Sequence, residues 1–149
     1  MILWLTGNTK AGKTTLAKAL CRGNKTILLD GDEMRRTISN DCGFTSDDRW
    51  VSCLRTAKLA KHLEDQGYAV VVAVIAPYEE LREQIRAITN CVFIWLPTGR
   101  ESSEEYPYEA CDRTADVVLL DWDTLLHQSK WSTKWSNAAL RKKMREHND

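Results

Sequence analysis

The nine residues GNTKAGKTT, Gly7 to Thr15, are the most informative stretch of this chain. Gly7, Gly12, Lys13 and Thr14 satisfy the spacing G-x-x-x-x-G-K-[ST]. The apolar run Ile2–Leu5 precedes the stretch and reads as a strand, and Leu16 and Leu20 follow it on one helical face. In a strand–loop–helix context, small residues let backbone N–H groups curl around phosphate oxygens. The helix N-terminus adds partial positive charge. The stretch therefore predicts a nucleoside triphosphate site built from Gly7, Asn8, Thr9, Lys10, Ala11, Gly12, Lys13, Thr14 and Thr15. Lys13 is expected to reach the β- and γ-phosphates, and the Thr14 hydroxyl to coordinate Mg²⁺. Lys10 is either a second cation beside the phosphates or a solvated side chain. The bland alternative for the whole stretch is a helix-capping turn that binds nothing.

Four further apolar runs read as strands: Thr26–Leu29, Ala69–Ile75, Val92–Leu96 and Val117–Leu120. They are continuous rather than alternating, as strands buried on both faces are. Helical patterns lie between several of them. Trp50, Leu54, Ala57 and Leu63 form a stripe between Asp48 and Gln66. Thr45 and Asp48 suggest a capping box at its start, and Gly67 a stop. Leu81, Ile85 and Ile88 predict a short helix after Pro77, and a last helix is expected over 134–146. Alternating strands and helices imply an α/β fold, with a five-stranded parallel sheet in a three-layer arrangement. Ligands bind such sheets at the carboxyl ends of the strands, where Gly7, Asp30, Ala76 and Pro97 fall.

ILLDGDEMRR, residues 27–36, places two acids and two bases at one such end. A kinase must orient and deprotonate an acceptor hydroxyl, hold Mg²⁺ and grip any anion on the acceptor. Asp32 is the candidate base, with an N-cap of a helix at 33–39 as the alternative. Asp30 is a candidate for the magnesium shell or for capping the turn. Arg35, three residues past Asp32, is placed to grip an acceptor phosphate. Arg36 reads as a surface charge.

The 149 residues suit one domain, 1–149, with a single core. The formal net charge is zero, so attraction to a polyanion must come from a local patch. The five cysteines are odd in number and form no CxxC pair, which points to reduced thiols. The first residues, MILWLTG, lack a basic n-region, and no run approaches the ~20 apolar residues of a membrane span. The expectation is a cytoplasmic protein without membrane partners. No guanine-specific NKxD motif or DxxG switch accompanies the phosphate loop, which argues against a GTPase.

LLDGDEMRRTISNDCGFTSDDRWVSCLRTAKLAKHLEDQGYAVVVAVIAPYEELRE, residues 28–83, resembles the adenylylsulfate (APS) kinases. Their pattern runs from a phosphate loop through LDGD-x-x-R and GFS-x-x-DR-x-x-N to a strand ending in I-S-P-y. The resemblance covers roughly residues 1–90. It returns weakly at YPYEA and ADVVLLDWDT. It implies a P-loop kinase fold, ATP and Mg²⁺ as cofactors, and an alcohol group as acceptor. By position it implies Asp32 as base, Arg35 and Arg49 at the acceptor's phosphate, Phe44 stacked on the acceptor's base, and Ser52 beside it. Phe44 as a core or loop residue, and Arg49 as an exposed helix-terminal charge, are the alternatives.

The chain departs from that pattern at four places. Ser52 replaces the family asparagine, Ala76 the serine before proline, and Lys10 a glycine of the phosphate loop. Only TGRESSEEY, residues 98–106, stands where the family has a long basic and aromatic lid. A short lid leaves room for a larger acceptor. Two acceptors are therefore expected as alternatives: a small nucleotide such as adenylylsulfate, or a hydroxymethyl-pyrimidine (5-hydroxymethyluracil) in DNA. The stretch HQSKWSTKWSNAALRKKMREH, with Trp131 and Trp135 among Lys130, Lys134, Arg141, Lys142, Lys143 and Arg145, suits nucleic acid. It equally suits an amphipathic terminal helix. A non-catalytic nucleotide-binding regulator is the third expectation. The oligomeric state is not legible.

Overall fold

The computed structural model describes residues 1–21 and 23–119. Leu120, the expected helix over 134–146 and the basic tryptophan-containing stretch lie outside the described residues. The order of elements is β1 (Ile2–Thr6), α1 (Lys13–Leu20), β2 (Thr26–Asp30), α2 (Gly31–Arg36), α3 (Ser46–Asp65), β3 (Ala69–Ala73), α4 (Glu79–Thr89), β4 (Val92–Trp95) and β5 (Val117–Val118). The sheet is five-stranded in the order β2-β3-β1-β4-β5, and every pairing is parallel. Among the described residues no helix is long and apolar enough to cross a membrane.

Period two in the strands explains the continuous apolar runs. Leu3 and Leu5 of β1, Val71 of β3 and Ile94 of β4 pack with Leu16, Ala17 and Leu20 of α1. Ile2, Trp4, Val70, Val72 and Phe93 turn the other way, onto Cys53, Ala57 and Ala60 of α3 and Leu81 and Ile85 of α4. Both faces are covered by helices, and the few polar side chains buried there, such as Thr6, Thr56 and Arg82, are hydrogen-bonded. The buried stripe of α3 is made of small residues, Cys53, Thr56, Ala57 and Ala60, while Trp50, Leu54 and Leu63 flank it half-buried. Of the expected stripe Trp50, Leu54, Ala57 and Leu63, Ala57 lies at the buried centre and the three larger residues pack at its edges: a helix lying flat on a sheet needs small residues at its closest approach.

Several boundaries shift by a residue or two. β3 ends at Ala73, not Ile75, where the chain leaves the ladder. Helix α2 spans Gly31–Arg36 rather than 33–39, and Asp30 is its N-cap, accepting from the Asp32 N–H at 3.2 Å. Asp32 is therefore not a cap. At α3 the Thr45 hydroxyl accepts from the Asp48 N–H at 3.1 Å, but the Asp48 carboxylate accepts from the Gly43 N–H at 2.9 Å. Half of the expected capping box forms, and its acid instead fastens the preceding loop. Gly67 closes the helix with φ 98°, a left-handed conformation that suits glycine.

The order of strands places the phosphate loop at the centre. Chain connections leave β1 toward β2 on one side and reach β4 on the other, so a crevice opens at the carboxyl end of β1.

Candidate active site

The loop after β1 is shaped by two glycines. A Cβ on Gly7 would sit 2.5 Å from the Leu96 carbonyl oxygen, so no other residue fits there without backbone movement. Gly12 takes φ 94° and opens α1 at Lys13. Lys10 sits in the left-handed region too, at φ 68°, where a side chain is strained. The Lys13 ammonium donates to the Asn8 carbonyl at 3.1 Å. Burial pulls its pKa down to about 8, against the opposing pull of Asp30 and Asp32. A desolvated ammonium whose protein partner is one loop carbonyl fits a phosphate oxygen as its partner. The Thr14 hydroxyl donates to Asp30 Oδ1 at 2.8 Å. Both are hard oxygen donors at the loop's edge, the chemistry that suits Mg²⁺. The donor set therefore fits ATP and a divalent cation.

A cleft of about 220 Å³ runs from this loop toward α2 and α3. Thr9, Lys10, Lys13 and Thr14 line it, whereas Gly7, Asn8, Ala11, Gly12 and Thr15 of the predicted set do not. Asp30 and Asp32 line the same cleft, and so do Arg35, Arg49 and Ser52. The Asp32 side chain has no hydrogen-bond or ion-pair partner among the described residues. Arg35 is anchored by donating to the Gly43 carbonyl at 2.7 Å, and Arg49 by donating to the Phe44 carbonyl at 2.8 Å. Their guanidinium carbons lie 4.4 and 5.5 Å from the centre of the Phe44 ring. That ring is 70% exposed, so Phe44 is an open aromatic face rather than a core residue. Arg49 is half-buried, not a free helix-terminal charge. Arg36 is exposed and pairs with Glu33.

Three residues that shape this cleft carried no motif. The backbone carbonyls of Val74, Ile75 and Ala76, which wall it, are each held by a different side chain. Trp4 Nε1 donates to Val74 at 3.0 Å, Thr6 Oγ1 to Ile75 at 2.6 Å, and Arg82 Nη1 to Ala76 at 2.6 Å. Arg82 is fully buried and also donates to Glu79 Oε1 at 2.9 Å and to the Glu109 carbonyl at 2.7 Å. Burial pushes the Glu79 carboxyl up, but hydrogen bonds from Thr114, the Arg113 N–H and Arg82 outweigh it and hold the carboxyl below its usual range. These ties keep Ala76 at φ 47°, another strained position. A lone arginine in an amphipathic helix gives no hint that it points inward.

The short segment 98–106 lies across the phosphate loop as a strap. Asn8 Nδ2 donates to the carbonyls of Arg100 and Tyr106, both at 3.0 Å, and the Arg100 N–H donates to the Thr9 carbonyl at 2.8 Å. A Cβ on Gly99 would sit 2.6 Å from the Asn8 carbonyl oxygen, so the two backbones touch. Asn8 therefore serves the strap with its side chain, not the cleft. Arg100 stacks on the Tyr106 ring at 4.6 Å.

The family model described as adenylylsulphate kinase matches residues 1–105. An adenylyl-sulfate kinase of Burkholderia ambifaria is 42% identical over 91 residues, which cover 58% of this chain and 50% of that protein. The chain thus spans about half the length of the curated relatives it matches. Among solved structures, an APS kinase of Mycobacterium tuberculosis carrying a cysteine-to-alanine substitution superposes with TM-score 0.69 at 25% identity, covering 84% of this chain and 90% of that one. A hexameric APS kinase from Thiobacillus denitrificans gives TM-score 0.70 at 30% identity, over 85% of this chain and 27% of that one. With a phosphate loop, two aspartates and two arginines lining one cleft, an aromatic ring flanked by those arginines, and these relatives, the chain belongs to the adenylylsulphate kinase family.

Proposed function

We propose that this protein is an ATP-dependent kinase that phosphorylates a hydroxyl of a nucleotide-type acceptor, with adenylylsulfate the first candidate. The observation that carries the reading is the shared cleft: Asp32, Arg35 and Arg49 line it together with Lys13 and Thr14. Lys13 anchors the β- and γ-phosphates. Thr14 and Asp30 would hold Mg²⁺, which would offset the charge of the phosphate oxygens when bound. Arg35 and Arg49 hold the acceptor's anionic group, and Phe44 offers its exposed face to the acceptor's base. Asp32 takes the proton of the acceptor hydroxyl. The new bond joins that oxygen to the γ-phosphorus as the β–γ bridging bond breaks, and the bond's electron pair stays on ADP. Ser52 and Ala76, both small, leave the acceptor pocket roomier than asparagine and serine would.

The test is a panel of acceptors incubated with γ-labelled ATP: adenylylsulfate, free nucleotides and hydroxymethylated DNA. Label on adenylylsulfate or another nucleotide supports the reading, and Asp32→Asn abolishes that transfer while leaving ATP affinity within about threefold. Near-normal turnover by Asp32→Asn removes it as the base. Label on DNA alone refutes the nucleotide reading, and no label anywhere favours a non-catalytic regulator. The DNA acceptor draws no support from the relatives above; of the two features that suggested it, the short segment 98–106 and the basic stretch at 130–145, the second lies outside the described residues.

A further inference from the structure

We propose that Lys10 is a catalytic cation that donates from the phosphate loop to the phosphoryl group in transfer; the inference rests on reading the cleft as a phosphoryl-transfer site. The backbone supplies the first observation. At φ 68° a glycine sits without strain, but a lysine does not. Strain of this kind persists where the side chain is used.

The second observation is freedom. Among the described residues Lys10 has no hydrogen-bond or ion-pair partner, and it lines the cleft with Lys13, Asp32 and Arg49. Each of its cationic neighbours is anchored: Lys13 on the Asn8 carbonyl, Arg35 on Gly43, Arg49 on Phe44. Of the four, Lys10 alone can move to meet charge that develops during reaction.

The third observation is what the strap lacks. Its one arginine, Arg100, stacks on Tyr106 and does not line the cleft. The rest of its charge is acidic: Glu101, Glu104 and Glu105. The strap therefore brings no cation to a triphosphate, while Asp30 and Asp32 add negative charge to the cleft. As the γ-phosphoryl group passes from the β–γ bridging oxygen to the acceptor oxygen, charge spreads over its equatorial oxygens. Donors aimed there lower the barrier. Lys10 remains an ammonium throughout; it forms hydrogen bonds and exchanges no proton.

Lys10→Gly separates this role from a structural one, because the two predict opposite signs of stability change. Relief of the left-handed lysine raises the ligand-free thermal midpoint by about 3 °C. At the same time kcat falls on the order of 100-fold. Lys10→Arg retains kcat within about tenfold and Lys10→Met does not. A second readout needs no acceptor: affinity for MgADP alone against MgADP with aluminium fluoride, a mimic of the transferring group. The parent binds the fluoride complex more tightly. Lys10→Gly keeps MgADP affinity within about threefold but loses most of the fluoride gain. A Lys10→Gly kcat within about threefold of the parent overturns the proposal. So does a lowered midpoint accompanying the loss, or a fluoride gain equal in both proteins. If the parent phosphorylates no acceptor, the acceptor reading falls while the fluoride comparison still decides Lys10.

Discussion

Nucleotide binding should draw a proton from solvent at alkaline pH, through Lys13. Burial lowers this ammonium from 10.5 to about 8 in the free protein. Keeping Lys13 charged in this desolvated place costs on the order of 3 kcal/mol of folding stability wherever it is charged in both states. The sign follows from proton counts. Below pH 8 both folded and unfolded chains carry the proton and the cost is present in full. Between pH 8 and 10.5 the unfolded chain holds more protons, so the cost is relieved as pH rises through that window. A phosphate oxygen beside Lys13 restores the charged form and returns its pKa toward 10.5. At pH 8.5 about a quarter of Lys13 is charged before binding and nearly all after it, an uptake of about 0.7 proton; at pH 7 the uptake is about 0.1. The same linkage weakens affinity about 20-fold between pH 7.5 and 9.5. Titration calorimetry with MgADP at pH 8.5, in two buffers of different ionisation enthalpy, reads the proton number directly. Nucleotide phosphates are fully ionised there, so the proton belongs to the protein. Lys13→Met should abolish the uptake. An uptake below about 0.2 proton, or a Kd flat across that range, would mean that Lys13 is not the desolvated phosphate ligand inferred from its burial.

Three other outcomes can be checked with standard variants. Arg82→Leu should destabilise by about 3 kcal/mol in urea unfolding, since it removes the charged partner of the Glu79 carboxylate and leaves the buried Ala76 carbonyl without its donor; a loss under about 1 kcal/mol would show that the network is incidental. Asn8→Ala removes the donor shared by the Arg100 and Tyr106 carbonyls, costs about 1–2 kcal/mol, and should speed tryptic cleavage after Arg100. Unchanged cleavage would mean that the backbone contacts at Gly99 and Thr9 suffice to hold the strap. Phe44→Ala should raise the acceptor KM on the order of tenfold with ATP KM unchanged, because the exposed ring is worth about 1–3 kcal/mol as a stacking face; an equal effect on both KM values would place Phe44 outside acceptor binding.

Much of the site was legible because its chemistry is local. The glycine spacing at Gly7 and Gly12, and the aspartates after β2, act through backbone within a few residues of themselves. The five apolar runs likewise announced a parallel sheet, since strands dry on both faces cannot alternate. Phe44 remained ambiguous, because an aromatic in a loop reads the same whether it faces core or solvent. Its place between Arg35 and Arg49, which converge on it from two different helices, exists only in the fold.

Residue order and spacing were thus enough for the phosphate loop, the succession of strands and helices, and the placing of acids and bases at strand ends. They follow from hydrophobic period and from backbone geometry, which are short-range properties. The hold of Trp4, Thr6 and Arg82 on three successive carbonyls of residues 74–76 arises only on folding. So does the seating of the strap on Asn8, 92 residues before its Arg100 partner. Apart from Arg82, which reaches back six residues to Ala76, those contacts join positions 69 or more apart in the chain, and a buried hydrogen bond leaves no periodic trace: its energy comes from desolvation that exists only once the sheet has closed over it.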